Sequence, residues 1–160
     1  MKHVELNLPV GVRESLCGFA RSRYPHEACG LLIGESTDSL VEVMRAVETR
    51  NLLAGEAGDR FEVDPGEHVA AQRVARDEGL DVVGVWHSHP DHPARPSARD
   101  LAGAWEGWSY LIVAVDADGV GELRSWQLEG GHFVEQELRD GDARGRGNGA
   151  TVQAKAVTLA

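Results

Sequence analysis

Apolar and polar positions along the chain alternate between two periods, and that alternation predicts the elements. Val4 to Leu8 switches polar and apolar residue by residue, which predicts a strand. From Pro9 to Arg23 the apolar residues Val12, Leu16, Phe19 and Ala20 recur at helical spacing, and Pro25 bars continuation. Ala28 to Gly34 is a short apolar run that predicts a buried strand, with Leu40 to Val47 as its partner. Arg60 to Val63 is a further short extended piece. Pro65 suits the first turn of a helix. The stretch Gly66 to Glu78, with Val69, Ala70, Arg73, Val74 and Asp77, predicts that helix, and Gly79 closes it. Val82 to His89 is apolar on both faces and predicts a central strand. Ser97 to Trp105 is read as a short helix. Tyr110 to Val115 is read as a strand that turns at Asp118-Gly119 into Gly121 to Leu128, and Gly130-Gly131 makes a second turn before His132 to Leu138. Together these predict a mixed α/β (α+β) domain, a β-sheet flanked by helices.

Composition sharpens the boundaries. After Leu138 the chain turns Gly-rich and loses large apolar residues, so residues 1–138 are expected to form one domain and 139–160 a disordered tail. No run approaches the ~20 apolar residues of a membrane span, and the N-terminal stretch has no signal-peptide core, so a cytoplasmic location is expected. Asp and Glu outnumber Lys and Arg by 26 to 16, which argues against nucleic acid or an anionic membrane as partner. Two cysteines, Cys17 and Cys29, are too few for a disulfide framework and are expected to be buried thiols. Nothing in the pattern speaks to oligomeric state.

The candidate chemistry lies in Val85 to Asp100, VWHSHPDHPARPSARD. Side chains of a strand alternate faces, so His87 and His89 point one way, and Ser88, Trp86 and Val82 the other. Two imidazoles on one face can grip one metal ion, and a loop can fold the carboxylate of Asp100 back onto them. Three protein ligands leave a fourth position open, as in catalytic rather than structural zinc sites. Ser97 and Asp100 also read as the two members of a helix capping box, which would explain both without a metal. Capping does not explain why they follow His87 and His89 at this spacing, a combination expected in roughly one shuffled chain per thousand. Water at such a metal needs a base, and Glu27, just ahead of a buried strand, is the candidate. His26-Glu27 does not open a helical HExxH motif, because position 30 is glycine. His92 is read as a loop or substrate-contact residue, Trp105, Trp108 and Trp126 as packing, and His3, His26, His68 and His132 as surface residues.

The upstream Glu followed by HSHP and PSARD resembles the JAMM (MPN-plus) metallopeptidase family over roughly Val4 to Leu138, and most closely its small bacterial members that process ubiquitin-like sulfur-carrier proteins. The resemblance implies one zinc ion per chain held by His87, His89 and Asp100. It implies Glu27 as the base that activates water, and Ser97 as the hydroxyl that hydrogen-bonds the oxyanion. It also implies a cytidine-deaminase-like fold, and hydrolysis of the peptide or isopeptide bond after a Gly-Gly tail, with a ubiquitin-like sulfur carrier as the partner. A deaminase itself would need H-x-E and PCxxC motifs, and neither occurs. The rival from another class is a non-catalytic MPN-type scaffold or interaction module with a structural zinc.

Overall fold

The computed structural model describes residues 4–53, 61–141 and 157–158. Its centre is a nine-stranded mixed sheet of β1 (Glu5–Leu8), β2 (Cys29–Ser36), β3 (Leu40–Thr49), β4 (Asp81–Pro90), β5 (Ser109–Asp116), β6 (Gly119–Glu129), β7 (His132–Gln136), β8 (Leu138–Asp140) and β9 (Val157–Thr158). The strand order is β7-β6-β5-β4-β2-β3-β1-β8, and β9 pairs with β3 in parallel beyond β1. The expected α/β class, a sheet flanked by helices, is what forms. Arg60, the first residue of one predicted extended piece, lies outside the described residues. So does most of the expected tail, although Arg139 and Asp140 belong to β8, and Val157 and Thr158 to β9.

One helix covers each face of the sheet. Helix α1 (Val10–Arg23) buries Val12, Leu16 and Ala20, as their spacing predicts, against Leu6, Leu32, Val43, Trp86 and Leu111. Phe19 stacks on Trp86 at 5.6 Å. Helix α2 (Pro65–Asp77) covers the other face. Its start is fixed by the Asp64 side chain, which accepts from Gly66 N and Glu67 N, with Pro65 in the first turn. The apolar residues that suggested α2 are not the ones it buries. Ala71 and Ala75, four apart, lie against the sheet, while Val69 and Val74 are exposed. A face of small residues lets the helix sit close to the strands, and that close approach sets its rotation.

Two further departures have local causes. The pairing of β2 with β4 slips between Leu32/Gly84 and Ile33/Val82, leaving Val83 as an extra residue. Beyond this bulge the alternation inverts, so Val82 packs with Val85 on the α2 face instead of with Trp86 on the α1 face. The segment read as one strand, His132 to Leu138, is two. Only Glu137 separates β7 at one edge of the sheet from β8 at the other, so the sheet curls around α1 until its edges meet. The Gly130-Gly131 turn forms as predicted, with positive φ at both residues.

Close packing at one glycine makes a strong stability test. The Trp86 indole N–H crosses β2 to donate to Val47 O at 3.0 Å, and it passes directly over Gly30. A Cβ at residue 30 would lie 1.8 Å from Val47 O and 2.6 Å from Trp86 Nε1. Gly30→Ala is therefore expected to cost at least ~3 kcal/mol, or a melting temperature lower by about 6–12 °C for a domain of this size. Thermal unfolding followed by circular dichroism measures it, and an unchanged midpoint would show that the β3 backbone at Val47 and the tryptophan both give way without cost.

Candidate metal centre

The site forms where β4 ends, on the α2 face. Period-two alternation turns His87 and His89 to the same side, as expected, and sends Ser88 to the other, where it is fully buried. Beyond Pro90, Asp91 adopts a left-handed φ of 59° and turns the chain out of the sheet. The Tyr24 hydroxyl donates to Asp91 Oδ1 at 2.8 Å, and the Trp126 indole donates to Ala94 O at 3.1 Å. These two contacts hold the loop that brings Asp100 back to the histidines.

The loop leads into helix α3 (Ala98–Ala102), shorter than the Ser97–Trp105 stretch read from sequence. Both expectations for its start hold together. Asp100 Oδ2 accepts from Ser97 N at 2.7 Å and Ser97 Oγ accepts from Asp100 N at 3.1 Å, a reciprocal capping box. The same Oδ2 lies 3.4 Å from His87 Nε2 and 3.4 Å from His89 Nε2, and the two Nε2 atoms are 3.0 Å apart. Capping thus orients the carboxylate that the histidines meet.

These three separations match the edges of a tetrahedral face. Ligand atoms about 2.05 Å from zinc at tetrahedral angles stand about 3.3 Å from one another. The tautomer fits as well. His89 Nδ1 is 2.9 Å from Pro93 O, and a carbonyl can only accept, so the proton sits on Nδ1 and Nε2 is the atom left for a metal. His87 Nδ1 is buried with no hydrogen-bond partner among the described residues, and the ring is fixed by packing. Phe61 stacks on it at 4.2 Å with 18° between the planes. The donor set of two imidazoles and one carboxylate therefore fits a zinc ion.

Electrostatics follow the same geometry. Burial drives the His87 pKa down, so its ring is neutral at neutral pH. Burial also pulls on His89, but hydrogen bonds to Asp100 and Pro93 O outweigh it and raise its pKa in the metal-free protein. Burial opposes the charge on Asp100, yet hydrogen bonds to His87 and His89 hold its carboxyl far below the usual carboxylate range. Cys29, opposite His87 in the β2–β4 ladder, is a buried thiol, as expected, pushed up to about 12 by desolvation, so it carries its proton in the metal-free protein. Cys17 is a free thiol too, but only partly buried.

Glu27 is 4% exposed, directed inward as its place before a buried strand implied. One of its carboxylate oxygens and one ring nitrogen from each of His87 and His89 lie within 4.8 Å of one another. Two cavities flank the centre. One of about 720 Å³ is walled by Phe61, Val85, His87, Trp108 and Phe133, with Trp105 at its rim. The other, of about 430 Å³, is lined by Glu27, His89, His92, Arg95 and Ser97. Arg99 lines both.

Some residues fall elsewhere than expected. Trp105, read as packing, is 71% exposed. His68, read as a surface residue, is half-buried against Trp108, and His3 lies outside the described residues. Phe61 and Asn51, which shape the site, were not singled out. Neither carries a periodic signal, because each acts from a short non-helical segment. Among the described residues no helix is long and apolar enough to cross a membrane.

Known proteins share this architecture. Residues 9–129 match the family model described as prokaryotic homologs of the JAB domain. A desampylase of Haloferax volcanii is 33% identical over 140 residues, covering 84% of this chain and 96% of its own. A CysO-cysteine peptidase of Mycobacterium tuberculosis is 29% identical, covering 78% and 83%. Among solved structures, a Desulfitobacterium hafniense protein superposes with a TM-score of 0.74 at 31% identity, covering 84% of this chain and 92% of its own.

Proposed function

The chain belongs to the family of prokaryotic homologs of the JAB domain, and from that premise we propose that it is a zinc-dependent peptidase that cuts the amide bond after the Gly-Gly tail of a ubiquitin-like sulfur carrier. The observation that carries the proposal is the 3.0, 3.4 and 3.4 Å triangle of His87, His89 and Asp100 with the buried Glu27 carboxylate beside it. The named relatives support the substrate class. They are called desampylase, CysO-cysteine peptidase and, in Thermus thermophilus, probable TtuB-protein conjugate cleaving protease. A cytoplasmic setting suits such a substrate.

His87 and His89, through Nε2, and Asp100, through Oδ2, would hold the zinc. When bound, it lowers the pKa of a coordinated water toward ~7 and polarises the scissile carbonyl. Glu27 takes the proton from the attacking water and delivers it to the leaving amine. Ser97 Oγ already accepts from Asp100 N, so its own O–H proton is available to donate to the oxyanion. The two cavities, lined by His87 and Asp100 on one side and by His89, Glu27 and Ser97 on the other, would take the chain on either side of the scissile bond. A Gly-Gly segment has no side chains to keep its carbonyl from the metal, and the carrier's folded body supplies the affinity that two glycines lack.

The substrate assignment is tested by incubating zinc-loaded protein with its host's sulfur carriers, each extended beyond Gly-Gly, and reading product masses. Trimming at Gly-Gly is expected, with short unrelated peptides cut poorly. Efficient zinc-dependent cutting of unrelated peptides, with every extended carrier left intact, would remove the carrier and leave only a peptidase.

A further inference from the structure

The peptide bond between Glu27 and Ala28 is gripped at both of its polar atoms by side chains from elsewhere in the chain. Asn51 Nδ2 donates to Glu27 O at 3.2 Å. Ala28 N donates to Ser88 Oγ at 2.8 Å. This peptide precedes β2, which begins at Cys29, so side chains take the place of a backbone ladder. Ser88 N then donates to Ala28 O at 2.9 Å and closes the pair of residues against each other.

The orientation of each gripping group is determined. The Asn51 amide cannot be turned around, because its Oδ1 accepts from both Leu53 N and Glu62 N. Its Nδ2 is left to face Glu27 O. Ser88 stands between His87 and His89 with its side chain on the opposite face, so any shift of Ser88 moves the two histidines with it. Asn51 also holds Glu62, the neighbour of the Phe61 ring that stacks on His87. Ser88 therefore ties the Glu27–Ala28 peptide to the backbone that carries the histidines, and Asn51 ties it to the segment whose Phe61 ring packs on His87.

We infer that Ser88 and Asn51 are positioning residues that set the distance of the Glu27 carboxylate from the His87–His89–Asp100 triangle. The inference rests on the proposed role of Glu27 as base. A general base must lie within hydrogen-bond reach of the proton it takes, and a displacement of about 1 Å can cost on the order of a hundredfold in rate. Ser88 lies on the face of β4 opposite the histidines, fully buried. Their effect runs through one peptide bond.

Two selective variants and a double-mutant cycle test it. Ser88→Ala removes the acceptor for Ala28 N. Asn51→Asp keeps the acceptor for Leu53 N and Glu62 N and replaces the donor to Glu27 O with a carboxylate oxygen that repels it. In each, carrier-trimming kcat is expected to fall on the order of a hundredfold, with KM and zinc content unchanged. In a Glu27→Gln background neither should lower the residual rate further, since the group they position is already gone. Ser88→Thr, which restores the hydroxyl, should recover most of the rate. A readout that needs no activity uses the zinc-free protein. The Ala28 amide should exchange with solvent at least about tenfold faster in Ser88→Ala, while amides further along β2 keep their protection. Full activity in either variant, losses that multiply in the Glu27→Gln background, or an Ala28 amide exchanging as in wild type would each overturn the inference. A wild type inactive on every carrier would overturn the peptidase reading instead, and the exchange experiment would still decide whether Ser88 holds that peptide.

Discussion

Glu27→Gln is expected to keep one zinc per chain and the wild-type fold while hydrolysis drops by two to four orders of magnitude, the range for losing general acid–base help. The substitution is nearly isosteric. It preserves the volume of a side chain that is buried among β2, β4 and the loop after β4, so the core does not change. What it removes is the ability to accept a proton. The geometry leaves one competing role for this residue. Its carboxylate is near enough to His87 and His89 to serve as a fourth ligand, and four protein ligands would close the centre and make it structural. The same variant separates the roles. A base lost leaves zinc content intact and abolishes turnover, whereas a ligand lost weakens zinc binding. Zinc analysis of the purified variant, beside carrier-trimming rates, reads both. Unchanged turnover would remove Glu27 from the chemistry, and parallel loss of zinc would favour the scaffold with a structural metal.

What was legible in the sequence is what local periodicity determines. Residues two apart in a strand share a face, so His87 and His89 were placed together before any tertiary contact was known. The 3.6-residue period of Val12, Leu16 and Ala20 likewise fixed the buried side of α1. The capping box at Ser97 was readable for the same reason, because its contacts span three residues. What was not legible depends on how elements meet. Val82 changes face because β4 carries one residue more than its partner between Gly84 and Val82, a fact of pairing that the strand's own alternation does not contain. The α2 rotation is set by how closely Ala71 and Ala75 let it approach the sheet, so its valines, the more hydrophobic residues, end up outside. The division at Glu137 follows from the two sheet edges meeting, a property of the whole sheet. Phe61 on His87 and Asn51 on Glu27 O are contacts 26 and 24 residues apart along the chain, which no local pattern relates. Asp100 and Glu27 came from the chemistry that a pair of metal-facing imidazoles requires, reinforced by the family motif, and not from periodicity.

Asp100→Asn is expected to weaken zinc binding by at least about a hundredfold, beyond the 10–100-fold typical of losing a group that only orients a ligand. This variant divides the two roles of Asp100 more cleanly than alanine does. An asparagine Oδ1 still accepts from Ser97 N, so the start of α3 is retained, while the negative charge that faces both histidines is gone. If the residue were only a cap, zinc affinity would be indifferent to the change. His87→Ala, which removes a buried ligand outright, should leave no stoichiometric zinc. The pH dependence of the wild type gives an independent reading. His87 is kept neutral by burial, and Asp100 stays ionised far below its usual range, so neither takes up a proton as pH falls from 8 towards the ordinary histidine range near ~6.5. His89 does, because Asp100 and Pro93 O raise its pKa. Protons then compete with zinc for His89 Nε2. Apparent affinity should be flat above the raised His89 pKa and fall by about tenfold per pH unit below it, with one proton released for each zinc bound. Competition against a chromophoric chelator across pH 5.5–8.5 measures this in wild type and Asp100→Asn. In the variant the partner that raised the His89 pKa has lost its charge, so the break should move to lower pH even as the plateau affinity drops. An unchanged plateau in Asp100→Asn would return this residue to its helix cap and leave the histidines without their third ligand.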